Sequence, residues 1–496
     1  MKSTLKKELR KNGYIVQPVV GDSMMPMLDE KSDAVRLVKY TKKLKEGDIP
    51  LCLSGGKYVL HRIIQVKKFY CITKGDNRSA TEKVSKRKIV AVADGYYKSG
   101  RFISFDDPEY VAYCRKVLSP DYFYISPELV YTAKLYTAAV KESFPPYPDT
   151  NVDWKKITAI CKRQRISASV FFAAAKISDS IPGEVFSQFR ADYDKNLRKE
   201  ILFEQERKAI FEAFENAGVL YMPLKGIVIN TLYPHRGMRQ FADNDILYPE
   251  EKRAQVSKIF QSRGYTSKLS SGVHDVYLKS PIYNFEMHRT LFASDSPYVS
   301  FFADIWQRAR RKSGSCEYIM KDEDFYIYFL AHFAKHFCGG GCGIRFCGDL
   351  YILRKYLFEK PGFDKSYVEN AIKKLSLCGF EKEICEFTRN IFELGNFSDT
   401  KTLSSFMTAS AYGDVERQVI KEIKSEGKAQ FILKKVFLPY TQMRKIFPVL
   451  SALPPLLPFF WAFRLISCFT DKNKRKSAFF KLKIWKNTEI KKSNNR

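Results

Sequence analysis

RQFADNDILY, residues 239–248, decides how most of this chain is read. Its second half, DNDILY (243–248), has the apolar content of a short buried strand. Side chains two apart on a strand point to one face, so Asp243 and Asp245 share a face and Asn244 turns to the other. Two carboxylates held side by side can grip Mg²⁺ through oxygen. A second strand-like run lies at 219–226 (VLYMPLKG) and a third at 282–288 (IYNFEMH). Glu286, on that third run, supplies a third carboxylate for a two-metal site that activates a hydroxyl and neutralises a triphosphate. Lys225 and Gly226 fall at a strand-to-helix turn, where an ammonium and backbone N–H groups can meet phosphate.

The ordered set LKGIVINTLYP (224–234), RQFADNDILY (239–248) and FEMHRTLF (285–292) resembles the polymerase-β-type nucleotidyltransferase superfamily. More narrowly it is similar to an uncharacterised bacterial nucleotidyltransferase family with a K-G turn, then R-x-x-x-D-x-D, then E-x-H. In that pattern Arg239 takes the arginine position, and Glu286 and His288 take the E-x-H. Downstream, FLAHFAKHF and GIRFCGDLYIL match its H-x-x-K-H and R-x-x-x-D at His332, Lys335, His336, Arg345 and Asp349. The resemblance spans about 125 to 470. It implies transfer of a nucleotidyl group from an NTP to a hydroxyl or other acceptor. Asp243, Asp245 and Glu286 would be catalytic and would hold Mg²⁺ or Mn²⁺. Lys225, Gly226, Arg239, His288 and His336 would be nucleotide or phosphate contacts. The superfamily's usual Gly-Ser phosphate turn is replaced here by Lys225-Gly226.

Residues 14 to about 105 read differently, as short β runs such as AVRLVKY, YVLHRIIQV and IVAVADGYY. Three motifs lie among them: GDSMMPML (21–28), GDIPLCLSGGKYVLHRIIQV (47–66) and KGDNRSATEKV (74–84). A serine hydroxyl needs a base within hydrogen-bond reach to become a nucleophile. Ser23 in a Met-x-Pro turn, with His61 on a later strand, supplies that pair of residue types. Together the motifs resemble the type I signal peptidase and LexA-like clan, which implies Ser23 as nucleophile, His61 as base and Asp76 as the acidic position supporting the base or the local fold. Two departures stand out: Gly21 and Asp22 precede the serine, and no N-terminal anchor is evident.

The expected fold class is therefore multidomain. A small, mostly β, peptidase-like domain (1–115) is followed by a connecting segment (116–153), in which KESFPPYPDTNVD reads as a loop. An α+β nucleotidyltransferase-like domain (154–470) comes next, with its catalytic core at about 200–295 and a large helical part at about 320–470. A basic tail (471–496) closes the chain.

Composition limits the partners. The 496 residues carry a formal net charge of +30, a surface that attracts phosphates, nucleic acid or anionic membrane. From Lys421 to Arg496, 18 Lys and Arg face 4 Asp and Glu, so the tail holds nearly half the excess. Eleven scattered cysteines argue against a disulfide framework. The basic N-terminus has no apolar run, so neither a signal peptide nor an anchor is expected. A cytoplasmic enzyme follows, with peripheral membrane contact through 446–463 and the basic tail left open. That apolar stretch, IFPVLSALPPLLPFFWAF, holds four prolines, which argue against a straight spanning helix. His332, His336, Cys338, Cys342 and Cys347 match no closed zinc spacing. GGGCG (339–343) lacks the context of a phosphate loop and reads as a helix-ending loop. The acceptor stays open; the fusion of two modules suggests a peptide or protein. A second reading, in which both sites are impaired and the basic surface binds nucleic acid or membrane, is favoured by Gly21-Asp22 and the Lys225-Gly226 turn.

Overall fold

Alternating β-branched and aromatic residues give nine strands among the described residues up to Ser104: β1 (Tyr14–Pro18), β2 (Ala34–Val38), β3 (Pro50–Ser54), β4 (Lys57–Leu60), β5 (Arg62–Val66), β6 (Tyr70–Lys74), β7 (Thr81–Ser85), β8 (Ile89–Lys98) and β9 (Arg101–Ser104). The computed structural model describes residues 8–487 except 31, 40–42, 55–56, 79–80, 99, 120–121, 123, 149–151, 241, 270–271, 412–414 and 471. The chain divides into two units, the first running to Ser126 and the second from Pro127. It is a mixed α/β multidomain protein, β-rich at the start and helical toward the end.

In the first unit one sheet has the order β1-β2-β8-β3-β4, with β9 beside β8, and a second sheet has the order β5-β6-β7. Ile15, Val35, Leu37, Leu51 and Ala93 form the core of the larger sheet, joined by Met24, Met27 and Leu28 from the loop between β1 and β2. The apolar residues that follow Ser23 therefore anchor its turn. The other organising feature is a buried ion pair. Arg62 Nε and Nη2 donate to Asp76 Oδ1 and Oδ2 at 2.8 and 2.7 Å. Nη1 reaches Gly47 O and Tyr110 Oη, and Tyr113 Oη donates to Asp76. Both charges are buried and fully hydrogen-bonded, which is the condition for burying them at all.

The second unit is built on a sheet of order β10-β11-β14-β13-β12: β10 (Met222–Pro223), β11 (Asn244–Leu247), β12 (Thr266–Lys268), β13 (His274–Lys279) and β14 (Tyr283–His288). Of the run 219–226, only two residues pair as strand, whereas β12 and β13 are additional to the strands read from sequence. β11 and β14 are parallel and all other pairs are antiparallel. A parallel pair needs a crossover, and the chain supplies one through the helix Arg253–Ser262 and strands β12 and β13. One face of the sheet is apolar. Ile246, Tyr248, Tyr277, Phe285 and Met287 pack against Ile210 and Phe214 of the long helix Gly183–Ala217 and Val256 and Phe260 of the crossover helix. Asn244 also faces this layer, where it accepts from Arg207 Nη1 at 2.9 Å.

Helices Asp322–Gly340 and Arg345–Leu357 follow, joined by the glycine-rich loop. A Cβ on Gly343 would stand 2.5 Å from Gln164 Oε1. That oxygen accepts from Ile344 N, and Gln164 Nε2 donates to Phe406 O. The loop is thus a tight helix–helix junction. The apolar stretch 446–463 is broken by 3₁₀ turns at Pro448–Ser451 and Pro454–Leu456 before the helix Leu457–Thr470. No helix among the described residues is long and apolar enough to cross a membrane.

Arg239 and Asp349 join the sheet to these helices. Arg239 Nε and Nη2 each donate to the Asp349 carboxylate at 2.8 Å, and Tyr233 Oη donates to the same group. Both residues are buried. Asp349→Ala leaves the guanidinium without its counter-charge and should cost about 3–5 kcal/mol in urea unfolding. The double variant Arg239→Met, Asp349→Leu should recover a large part of that loss. Equal losses in the single and double variants would show that the pair does not act as a unit.

Candidate nucleotidyl-transfer site

The second face of the sheet is polar, and strand alternation puts it there. Asp245 stands opposite Glu286 in the parallel register, and Leu247 opposite His288. In the antiparallel register His288 stands opposite His274. Asp245, Glu286, His288 and His274 therefore project from three adjacent strands to one side. Asp243 joins them, two residues before Asp245.

Asp245 is 5% exposed and needs compensation. Lys225 Nζ donates to its Oδ1 at 2.8 Å, and His288 Nε2 lies 2.8 Å from the same oxygen. Lys225 reaches it from a strained turn. Its φ of +41° is a conformation that residues with a Cβ avoid, at a cost on the order of 1–3 kcal/mol. Gly226 opens only a single helical turn, Gly226–Ile229. Burial opposes the charge on Asp245, but Lys225 and His288 outweigh it and hold the carboxyl well below its ordinary range. The same partnership raises Lys225. Burial and the neighbouring Lys225 push His288 down to about 4, so the ring is neutral near pH 7.

The other two carboxylates have no such partner. Burial, then the charge of Asp245, raises Asp243. Burial, then Asp245 and Asp243, pushes Glu286 up to about 7. Lys225 compensates Asp245 most directly, while Asp243 also feels the charges of Arg345 and Arg239. Oxygen donors with an excess of negative charge are the set a hard divalent cation requires, so Asp243, Asp245 and Glu286 fit Mg²⁺ or Mn²⁺ by donor chemistry. Their oxygens are not drawn together within 4.8 Å of one another. Among the described residues, the group that meets this distance is His274, Glu286 and His288.

The remaining sequence candidates take other places. Arg239 is committed to Asp349, as described above, and Arg345 Nη1 donates to Gln240 O. Both hold the loop that leads into β11. His336 Nε2 lies 3.2 Å from His332 Nε2 on the helix Asp322–Gly340. Burial lowers both rings, His336 to about 4. Tyr328 on the same helix is raised by burial and feels both Lys225 and Asp245, which places that helix against the carboxylate face. His274 was not among the residues picked from the sequence. Its signal was the run HDVYLK, which alternates up to a Ser-Pro turn and then enters the recognised strand at 283.

In the first unit Ser23 lies between β1 and β2, and its carbonyl accepts from Asn77 N at 3.0 Å. A Cβ on Gly75 would approach that carbonyl to 2.6 Å, so the glycine is required for this contact. Asp22 is ion-paired to Arg78. His61 sits between β4 and β5, with Nδ1 3.2 Å from Glu82 Oε2. Asp76 is held by Arg62 and Tyr113 rather than by His61. Among the described residues no hydrogen bond joins Ser23 to His61.

Residues 150–393 match the family described as "Uncharacterised nucleotidyltransferase". They therefore form a nucleotidyltransferase-like domain that contains the whole carboxylate face. The match begins beyond the Ser23, His61 and Asp76 motifs and lends the peptidase reading no support. No curated protein matches the chain. A solved structure titled "Solution Structure of Antibiotic-Resistance Factor ANT(2'')-Ia Reveals Substrate-Regulated Conformation Dynamics" aligns at 11% identity over 36% of this chain and 90% of that one. Its TM-score is 0.21, too low to bear on the fold.

The raised Glu286 carboxyl has a stability consequence. The folded protein keeps this proton to about pH 7, whereas the unfolded chain releases it near 4.5. The stabilisation is full below 4.5 and is lost as pH rises through 7. In chelator-treated protein, the Tm of Glu286→Gln should gain on wild type between about pH 4.5 and 7 and run parallel above it. A constant offset across that window would show that Glu286 does not titrate there.

Proposed function

We propose that the 150–393 domain transfers a nucleotidyl group from an NTP to an acceptor, with pyrophosphate released. The observation that supports this most directly is the strand register that sets Asp245 opposite Glu286, with Asp243 on the same face and Lys225 on Asp245. Asp243, Asp245 and Glu286 would hold Mg²⁺ or Mn²⁺. When bound, the ion supplies charge neutralisation for the triphosphate and polarises the oxygens around it. The protein's own contribution is positional. Lys225 keeps Asp245 ionised and places an ammonium beside it. His288, neutral, orients the same carboxylate from the neighbouring strand. Arg239 and Arg345 fix the loop that delivers Asp243. Glu286 completes the carboxylate set from the neighbouring strand β14.

Incubation with labelled NTPs and Mg²⁺ tests this reading. Asp245→Asn and Asp243→Asn should each lower label transfer, on the order of 10²–10³-fold for loss of one such charge. Label transfer that survives Asp245→Asn would sink the assignment.

A second reading concerns the first unit. The observation favouring a peptidase-like role is the fixed serine turn, with Met24, Met27 and Leu28 in the core and Asn77 on the Ser23 carbonyl. Asp22, paired with Arg78, is turned to a cation and not left as a free charge beside the nucleophile. Ser23 would attack a peptide carbonyl and His61 would take its proton. Ser23→Ala used as a substrate trap should enrich an intact precursor that wild type does not retain. Identical captures by the two proteins would count against cleavage.

A further inference from the structure

His274 adds nitrogen to a face that the function above uses only for oxygen. Its Nε2 lies 3.6 Å from Glu286 Oε2, and His288 Nε2 lies 3.8 Å from that same oxygen. All three donors fall within 4.8 Å of one another. The spacing has a physical meaning. Zn²⁺ takes imidazole nitrogen and carboxylate oxygen at about 2.0–2.2 Å, so two donors on one tetrahedral ion stand roughly 3.4 Å apart. The two separations to Glu286 are within a few tenths of an ångström of that value. The rigidity is also suitable, because the three residues sit on paired strands, with His274 directly opposite His288. His288 is 4% exposed, and its Nδ1 has no hydrogen-bond partner.

We infer that His274, Glu286 and His288 form a binding site for a divalent transition ion of the Zn²⁺ class, next to the aspartate pair. Two imidazoles and one carboxylate suit Zn²⁺, Co²⁺ or Ni²⁺ and not Mg²⁺, which prefers carboxylate and water. The ion pairs of His274 and Glu286 among the described residues lie within the cluster itself. His288 Nε2 also stands 2.8 Å from Asp245 Oδ1, an oxygen that Lys225 shares, so ion binding replaces that hydrogen bond and releases the Nε2 proton to solvent. A cation here is among the largest local charges and would hold the carboxylate face anionic together with Lys225. The role of the ion rests on the nucleotidyl-transfer reading; its binding does not.

Full-length protein freed of metal with a chelator, then titrated with Co²⁺ alone, tests the site. The expected result is one equivalent with the visible absorption of a tetrahedral or five-coordinate ion, displaced by Zn²⁺ and retained in excess Mg²⁺. His274→Ala and Glu286→Gln should each weaken Co²⁺ binding at least about tenfold. His274 is half-buried near a strand end, so His274→Gln, with far-UV circular dichroism, guards against misfolding as the cause. Asp243→Asn should keep Co²⁺ binding while label transfer from NTP falls. Co²⁺ bound by wild type and lost in His274→Gln supports the site even if no NTP is turned over. No bound Co²⁺, binding unchanged in both His274 variants, or displacement by Mg²⁺ would overturn it.

Discussion

Carboxylates that stand on one partly buried face repel one another, and the sheet of the second unit is organised around containing that repulsion. The parallel pairing of β11 with β14 sets Asp245 beside Glu286, and chain direction brings Asp243 to the same side. Burial alone would protonate all three. Lys225 prevents this for Asp245 only, at the expense of a backbone conformation that its side chain disfavours. The result is an inequality, one carboxyl held ionised and two raised. A residue without Lys225's charge at that turn would lose the compensation, and one without its strained backbone would not reach Asp245.

The helical part belongs to this arrangement and is not an appendage to it. The loop before β11 is fixed by Arg239 on Asp349 and by Arg345 on Gln240, and both partners of the buried ion pair are sealed from water. The position of Asp243 therefore depends on a helix more than a hundred residues downstream. The family match likewise covers sheet and helices together, from 150 to 393. That dependence also gives the glycine loop at 339–343 its purpose. The close approach of Gly343 to Gln164 locks the junction that orients the Asp349 helix.

The sequence revealed what local periodicity encodes. Asp243, Asp245 and Glu286 were legible because D-x-D on an apolar run fixes a shared face, and Asn244 was assigned to the opposite face by the same rule. β13 was not legible, although HDVYLK alternates, because its charged and polar residues dilute the hydrophobic signal at the sheet's outer part. His274 was missed with it. The placement of Arg239 was also beyond reach: a motif arginine near aspartates suggests phosphate, and only the tertiary contact with Asp349 shows that its guanidinium is engaged. In the first unit the serine turn was legible, but the partner of His61 was not. Glu82 lies on β7, whereas the motif carboxylate, Asp76, lies in the turn between β6 and β7.

The two motif aspartates of different fate, Asp76 and Asp243, show how scaffold and chemistry separate within a sequence pattern. Asp76 receives Arg62 at both oxygens and a tyrosine hydroxyl besides. Its acceptor capacity is filled by strong, charge-assisted bonds, so it can stabilise a fold but can take up neither a proton nor an ion without breaking them. Asp349 is in the same position with Arg239 and Tyr233. Asp243 is only half-buried, and no hydrogen bond or ion pair among the described residues occupies its carboxylate. Its oxygens keep their acceptor capacity open toward solvent, beside two other carboxyl groups.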